Sequence, residues 1–267
     1  MADAVETIVG LGRIEGLYAV VLCDVFGVLH DATEIRPAAV AALRTFRAGG
    51  GTVVLVSNSS EPRPRLAETL RARGIAPEYD ALVTSADIAR ILLEEQVPKR
   101  VHHIGPARDR ILFDGLSVTL TGVESADLSV CTGYPDPDDD LDATLVVALQ
   151  RGHLLVCTNP DTSLMVDSTR LRFAGLVAER YRTIGGIVIE TGKPGGLIYR
   201  EALRRAGQAR ERPITPGAVL GIGDTWALDV VGALKCGFGA IHIGAAEPQE
   251  RPPDCPGRLY RMPVLVW

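Results

Sequence analysis

The sequence predicts an α/β fold built on a parallel β-sheet that is covered by helices. Short apolar runs of strand length alternate with amphipathic stretches of helix length, which is typical of successive β-α units. Several runs are apolar throughout, as in residues 18–23 (YAVVLC) and 52–56 (TVVLV), and such strands are buried on both faces. Polar residues follow directly, Asp24 after the first run and Ser57 after the second.

Each element follows from its apolar pattern and from the residues that start and stop it. Pro37 suits the first turn of a helix, and the glycines at 49–51 end that helix, as Gly74 ends the next one. The predicted strands are 18–23, 52–56, 81–84, 101–104, 128–132, 154–157, 218–222 and 239–243. The predicted helices are 37–47, 64–73, 87–96, 108–113, 141–150, 197–206 and 227–234. Residues 134–140 (YPDPDDD) are predicted to form a solvated loop, and the apolar end at 262–267 to add an edge strand or to pack on a partner.

Composition and charge exclude several classes of function. The formal net charge of -5 argues against nucleic acid as a partner, because phosphate backbones attract basic surfaces. The five cysteines form no CxxC pair, so they indicate neither a zinc site nor a redox motif. We find no signal peptide and no apolar run long enough to span a membrane, and we therefore expect a cytoplasmic protein with no membrane partner.

Chemistry-bearing residues gather where predicted strands end. In doubly wound sheets, ligands bind beyond the carboxyl ends of the strands. Candidate residues at such positions or in adjacent turns are Asp24, Ser57, Asn58, Lys193, Asp224 and Asp229. Carboxylate oxygens suit Mg²⁺, and a lysine places a point charge on phosphoryl oxygens. The set therefore predicts a magnesium-dependent phosphate site.

Four motifs in order carry a resemblance to a known family. They are YAVVLCDVFGVLHD, VVLVSNSS, the lysine of TGKPGGLIYREAL, and VLGIGDTWALDVVGALKCGFGAIHI. With them the chain resembles the haloacid dehalogenase superfamily, and within it the class IIA branch of NagD-like and p-nitrophenyl-phosphatase-like enzymes. The resemblance implies a Rossmann-like core over residues 1–82 and 186–267, with an α/β class II cap domain inserted at 83–185.

The resemblance also implies a role for each candidate residue. Asp24 would be the nucleophile and a Mg²⁺ ligand, with Ser57 and Lys193 holding the phosphoryl group. Further Mg²⁺ ligands would be the backbone carbonyl of Phe26 and the carboxylate of Asp224, and Asp229 would either bind the metal directly or orient a water bound to it. Substrate binding would fall to Ser57, Asn58, Lys193, Asn159 and Asp161. Asn159 and Asp161 have a plainer interpretation as well, since they could simply close the turn around Pro160.

Position 26 departs from the family pattern. Phosphatases of this superfamily carry an aspartate two residues after the nucleophile, where it protonates the leaving group and then activates water, and this chain has Phe26. A replacement could come from His30, Asp31, His102 or His103, or these could be ordinary structural residues. Haloacid dehalogenases also carry an aromatic residue here, but Asp224 and Asp229 point to a metal, which dehalogenases do not use.

Three functions therefore stay open. The first is a slow Mg²⁺-dependent hydrolase of a small phosphomonoester, such as a sugar phosphate or a nucleotide, acting through an aspartyl phosphate on Asp24. The second is a catalytically impaired protein that binds a phosphorylated ligand. The third is a phosphotransferase to an acceptor other than water. The expected partners are a small phosphorylated metabolite and, by resemblance, a second copy of the chain bound through the cap.

Overall fold

The computed structural model describes residues 5–75, 79–95, 100–135, 140–166, 169–245 and 250–267. Its strands are β1 Glu6–Thr7, β2 Val20–Cys23, β3 Thr52–Ser57, β4 Ala81–Thr84, β5 Arg100–Ile104, β6 Thr119–Leu120, β7 Leu128–Cys131, β8 Leu154–Cys157, β9 Ser163–Val166, β10 Thr169–Arg172, β11 Ile187–Glu190, β12 Val219–Gly223, β13 Gly239–Ile243 and β14 Leu259–Met262. Its α-helices are α1 Pro37–Ala48, α2 Arg63–Ala72, α3 Ser85–Glu95, α4 Leu141–Gln150, α5 Ala174–Thr183, α6 Gly196–Ala209 and α7 Val231–Lys235.

Contacts within the chain define two compact units. Unit 1 comprises the described residues of Met1–Ser57, Ala67–Val83 and Lys193–Trp267, and unit 2 those of Asn58–Leu66 and Thr84–Gly192. The limits predicted from the sequence assigned 58–66 and 186–192 to the core, whereas these contacts assign both segments to unit 2. The extent of the core and cap as functional domains stays a prediction.

Unit 1 contains a sheet whose order, among the described residues, is β1-β14-β13-β12-β2-β3-β4. The pairs from β1 through β3 are parallel, so their carboxyl ends lie at one edge of the sheet. Strand β2 is central, between β12 and β3, and all four of its side chains are buried. Each buried Val or Leu contributes about 1.5–3 kcal/mol by leaving water, so this apolar strand stabilises the centre of the sheet.

Unit 2 contains a second sheet, ordered β11-β8-β7-β5-β6 in the part of the chain that the structure describes, with parallel pairing throughout. Adjacent residues of β7 belong to different core clusters, with Val130 packed beside α3 residues and Cys131 beside α4 and α5 residues. Successive side chains of a strand point to opposite faces. Both faces of this sheet are therefore covered by helices, and the α/β fold class predicted from the sequence is confirmed.

The structure also contains elements that the sequence pattern did not predict. The antiparallel hairpin β9–β10, helix α5 and strand β11 all lie in residues 163–190. The polar sequence of β10 (TRLR) has no continuous apolar run, which explains why the strand was missed. Near the end of the chain, β14 pairs with β13 on one side and β1 on the other and is therefore not an edge strand. Of the stretch predicted as an edge strand, 262–267, only Met262 belongs to β14, and residues 263–267, all of them described, form no strand. The predicted loop at 134–140 lies partly outside the described residues.

Two further observations concern the helices. The helix predicted over 227–234 begins instead as a π-helical turn, Trp226–Val230, which continues into α7. Such turns shift the side chains that follow and are frequent at functional sites. Across the described ranges, none of the helices combines the length and apolar character needed to cross a membrane.

Candidate active site

The first predicted site residues lie where the central strands of unit 1 end. Asp24 directly follows β2, Ser57 is the last residue of β3, and Asp224 directly follows β12. The backbone N–H of Asp24 donates to the carbonyl of Ile222 at 2.8 Å, which extends the β2–β12 pairing by one residue to Asp24. Asp24 is only 8% exposed. Parallel pairing thus brings these three residues to the same edge of the sheet.

Lys193 joins two of the carboxylates. Its side chain is 5% exposed, and its Nζ donates to Oδ1 of Asp24 and, at 2.7 Å, to Oδ1 of Asp229. The Lys193–Pro194 peptide bond is cis. A buried ammonium requires opposite charges close by, and here both are supplied by predicted site residues. Lys193 therefore fixes the positions of the two carboxylates and balances part of their charge.

The π-helical turn presents Asp229 to this lysine. The backbone N–H of Thr225 donates to Oδ2 of Asp229 at 3.0 Å, while the Asp229 N–H donates to the Thr225 carbonyl at 2.8 Å. The hydroxyl of Tyr199 lies 3.1 Å from the carbonyls of both Leu228 and Asp229. These contacts hold both carboxylate oxygens of Asp229 in place. Sequence reasoning identified Asp229 but not Thr225 or Tyr199, whose roles depend on the irregular turn.

Asp24, Asp224 and Asp229 form a cluster of carboxylates. Each offers one oxygen, and the three oxygens lie within 4.8 Å of one another. Gly27 has a positive φ of 85°, and a Cβ built on it would lie within 2.9 Å of all three carboxylate atoms of Asp224. Glycine is therefore required at position 27 for both its backbone conformation and the space that Asp224 occupies. The motif letters DVFG contained this glycine, but only the packing explains it.

The electrostatics of the cluster favour a bound cation. Burial raises the pKa of Asp24 well above its usual value, and the charges of Asp229 and Asp224 raise it further against the opposing effect of Lys193. Burial and the charge of Asp229 also raise the pKa of Asp224. Burial alone would lower the pKa of Lys193, but Asp229 and Asp24 outweigh it and hold that pKa well above its usual value.

Charge counting leads to the same conclusion about the cluster. Because burial and mutual repulsion raise the pKa values of Asp24 and Asp224, a cation bound here would favour their ionised forms. With all three carboxylates ionised, negative charge is in excess over the one ammonium, at a site whose candidate ligands are hard carboxylate oxygens. Divalent Mg²⁺ prefers such ligands, and the residues present therefore fit it. The carbonyl of Phe26 stays a predicted fourth ligand.

The remaining predicted substrate ligands lie together in unit 2. The Nδ2 of Asn58 donates to Oδ2 of Asp161 at 3.1 Å, and the Asp161 N–H donates to Oδ1 of Asn159 at 3.1 Å. The bond from Asp161 to Asn159 closes the turn around Pro160, as expected if these two residues have only a structural role. The Asn58 contact joins residues 103 positions apart, which no local pattern could predict. Their role in substrate binding stays a prediction.

Two candidates for the missing acid–base group, Asp31 and His103, have structural partners. The carboxylate of Asp31 accepts hydrogen bonds from the Thr33 N–H, the Thr33 hydroxyl and the Glu34 N–H, which lower its pKa to about 2. In unit 2, Nε2 of His103 lies 2.8 Å from the Thr132 hydroxyl. Asp31 therefore closes a turn and is poorly suited to donate a proton at neutral pH.

The other two candidates are also bonded to backbone. Nδ1 of His30 lies 2.8 Å from the carbonyl of Asp31, and Nδ1 of His102 lies 3.2 Å from the carbonyl of Thr121. His30 is additionally in ring contact with Phe26. Each imidazole thus has a structural role through one of its nitrogens.

Comparisons with known proteins agree with the motifs and with the fold. A profile of haloacid dehalogenase-like hydrolases matches residues 21–119, and a second profile of HAD-hydrolase-like proteins matches residues 190–254. The structure is similar to a hydrolase of the haloacid dehalogenase-like family from Brucella suis 1330, with 31% identity, a TM-score of 0.85, and coverage of 97% of this chain and 100% of that one.

Two more distant similarities concern phosphatases. The 5'-nucleotidase YutF of Bacillus subtilis is 24% identical over 238 residues, which cover 87% of this chain and 90% of the relative. The p-nitrophenyl phosphatase of Archaeoglobus fulgidus shares the fold with a TM-score of 0.73 at 21% identity, over 92% of this chain and 96% of that one.

Proposed function

This chain belongs to the haloacid dehalogenase-like hydrolase family, and from that premise we propose that it is a Mg²⁺-dependent phosphatase of a small phosphomonoester. The observation that carries the proposal is the buried Lys193, which holds the carboxylates of Asp24 and Asp229 beside Asp224. The similarity to a 5'-nucleotidase and to p-nitrophenyl phosphatases supports phosphate esters as the substrate class. Sugar phosphates and nucleotides are the first substrates to test.

The proposed reaction uses Asp24 as the nucleophile. An oxygen of its carboxylate attacks phosphorus, the bond from phosphorus to the ester oxygen breaks, and an aspartyl phosphate forms. Water then attacks phosphorus, the bond to Asp24 breaks, and inorganic phosphate leaves. Lys193 orients the attacking carboxylate and neutralises part of the phosphoryl charge. Ser57, at the end of the neighbouring strand β3, is proposed to donate a hydrogen bond to the phosphoryl group.

The metal is proposed to bind at Asp24, Asp224, Asp229 and the carbonyl of Phe26. When bound, Mg²⁺ would offset the negative charge of the phosphoryl oxygens during transfer. The excess negative charge of the carboxylate cluster supports this assignment. Asn58, Asn159 and Asp161, which hydrogen-bond to one another within unit 2, are proposed to bind the substrate.

Phe26 supports one alternative function. Without an aspartate at this position, the step that activates water is weakened, because a positioned acid–base contributes about 10²–10⁴-fold. An aspartyl phosphate that reacts slowly with water could instead be discharged by another acceptor, which would make the protein a phosphotransferase. If the intermediate does not form at all, the site would only bind a phosphorylated ligand.

A phosphate-ester panel tests the proposal. The purified chain is assayed with Mg²⁺ against sugar phosphates, nucleotides and p-nitrophenyl phosphate, beside the variant Asp24→Asn and the control Asp142→Asn, an exposed carboxylate on α4. We expect Asp24→Asn to lose activity by about 10³-fold or more and Asp142→Asn to retain it. Turnover that survives in Asp24→Asn would refute the role of Asp24.

The proposal also covers the partners of the protein and its location in the cell. We propose a homodimer formed through residues 83–185, no nucleic-acid partner, no membrane partner, and a cytoplasmic location. Sedimentation of the whole chain, compared with a chain carrying charged substitutions on the exposed face of 83–185, tests the dimer. A monomer at micromolar concentration would contradict it.

A further inference from the structure

Phe26 reaches the surface from a segment that is otherwise buried. Among residues 24–30, all of which the structure describes, the apolar side chains of Val25, Val28 and Leu29 are buried in the core. Phe26 is 36% exposed. A single exposed apolar residue needs no explanation on a general surface. This one follows the proposed nucleophile by two residues, so its Cα lies at most about 7 Å from that of Asp24.

The ring of Phe26 packs against a neighbouring ring. It contacts the ring of His30 edge to face, with centroids 5.6 Å apart and an interplanar angle of 87°. His30 is in turn fixed, because its Nδ1 lies 2.8 Å from the carbonyl of Asp31 and Arg73 donates to that same carbonyl at 3.1 Å. In an edge-to-face pair, the imidazole can cover at most one face of the phenyl ring. The contact with His30 thus leaves the residue 36% exposed to solvent, where a ligand could reach it.

The backbone around this ring is equally constrained. The Gly27 N–H donates to the carbonyl of His30 at 2.7 Å, and the Leu29 N–H donates to the carbonyl of Val25 at 2.9 Å. Arg36 donates to the carbonyl of Gly27. Because the turn is closed by these bonds, little conformational entropy would be lost when a ligand packs on Phe26.

The chemistry at position 26 restricts the leaving group independently. A phenylalanine cannot donate a proton, so the departing oxygen leaves as an anion unless solvent or another side chain protonates it. A phenol has a pKa of about 10, whereas that of water is about 15.7, and alkyl alcohols resemble water in this respect. An oxygen attached directly to an aromatic ring is therefore a far better leaving group at this site than an alkyl oxygen.

We propose that Phe26 makes this site selective for aryl phosphomonoesters, by packing against the planar ring of the leaving group. The inference rests on the proposed function and narrows its substrate class. Asp24 attacks phosphorus, the bond to the aryl oxygen breaks, and its electron pair leaves with the aryloxide. Water then attacks the aspartyl phosphate, which releases phosphate, the carboxylate of Asp24 and one proton, and the aryloxide takes up that proton.

Three phosphate esters separate the effect of ring packing on Phe26 from the effect of a good leaving group. Phenyl phosphate has both the aromatic ring and the good leaving group, benzyl phosphate has the ring but an alkyl oxygen, and cyclohexyl phosphate has neither. We expect kcat/KM for phenyl phosphate to exceed that for cyclohexyl phosphate by about 10²-fold or more, since an acid–base group contributes on that order and only the alkyl ester needs one. Benzyl phosphate should fall between them, because it retains the ring contact.

Variants at position 26 test the ring itself. Because Phe26→Leu removes the stacking contact, it should lower the ratio of kcat/KM for phenyl phosphate to kcat/KM for cyclohexyl phosphate by about 5–30-fold. Phe26→Tyr keeps an aromatic ring and should keep this ratio. Phe26→Asp should raise kcat/KM for cyclohexyl phosphate by at least about tenfold. Circular dichroism and thermal unfolding of each variant exclude misfolding, and the ratio of two substrates is independent of the fraction of active protein.

The outcomes distinguish this inference from the proposed function. If no ester is hydrolysed faster than by Asp24→Asn, the proposed function fails, and the inference fails with it. If esters are hydrolysed but phenyl and cyclohexyl phosphate react at similar kcat/KM, or Phe26→Leu lowers both equally, the aryl selectivity alone is refuted.

Discussion

Lys193 provides the sharpest test of how the site is held together. The residue is 4% exposed, and its ammonium bonds to Asp24 and, at 2.7 Å, to Asp229. The substitution Lys193→Met retains most of the side-chain volume and removes the charge. Two carboxylates are then left buried without their counter-ion, and breaking a buried pair in this way costs about 3–5 kcal/mol.

The cost can be expressed as a melting temperature. For a chain of this size, each kcal/mol shifts Tm by about 2–4 °C, so we expect Lys193→Met to melt roughly 6–20 °C below the parent protein. The measurement is differential scanning calorimetry at pH 8 in EDTA, where no divalent cation substitutes for the ammonium. Adding Mg²⁺ should recover part of the loss, because a divalent cation neutralises the same carboxylates.

A matched control separates the effect of removing a buried charge from the effect of removing any lysine. Lys235 is exposed at the end of α7, and Lys235→Met should change Tm by no more than about 2 °C, because exposed substitutions usually change stability within about 0.5 kcal/mol. If Lys193→Met melts within about 1 °C of the parent protein in EDTA, the buried charge triad does not exist in solution and the electrostatic reasoning is wrong.

Three further predictions follow from the same contacts. In urea unfolding, Gly27→Ala should destabilise the chain by more than Gly50→Ala. Both glycines have φ near 85°, and this left-handed conformation alone costs an alanine about 1–2 kcal/mol, but a Cβ at Gly27 meets the Asp224 carboxylate whereas one at Gly50 meets open space. Equal losses of stability in the two variants would contradict the packing at Gly27. Mg²⁺ at about 100 times its Kd should stabilise the protein by about 2.7 kcal/mol in a thermal-shift titration, and Asp224→Asn should abolish most of that shift. Burial lowers the pKa of His103 in the folded protein to about 4, so as the pH falls the unfolded chain takes up a proton before the folded one does. The contribution of His103 to folding stability should therefore be complete above about pH 6.5 and decline towards pH 4. Urea midpoints measured at pH 6.5 and pH 4 should fall less for His103→Gln than for the parent protein.

Most of the fold could be predicted from the sequence because its core strands are continuous apolar runs. Strands β2, β3, β8 and β13 were predicted within two residues of their observed bounds, since strands made mostly of buried apolar residues leave a clear pattern. The hairpin β9–β10 was not predicted, because its sequence mixes charged and apolar residues and shows no continuous apolar run. Helix α5 was also missed, although its buried Ala174, Val177, Ala178 and Tyr181 follow the i, i+3, i+4, i+7 spacing of an amphipathic helix.

By itself the sequence determined which residue types stand at the strand ends, and therefore the family and the candidate set Asp24, Ser57, Lys193, Asp224 and Asp229. Only the tertiary structure decided how they are used. It placed Lys193 against Asp24, 169 positions away, required glycine at position 27, and turned Asp229 inward on a π-helical turn. These features come from the packing of parallel strands that are distant along the chain, and no local pattern of residues encodes such contacts.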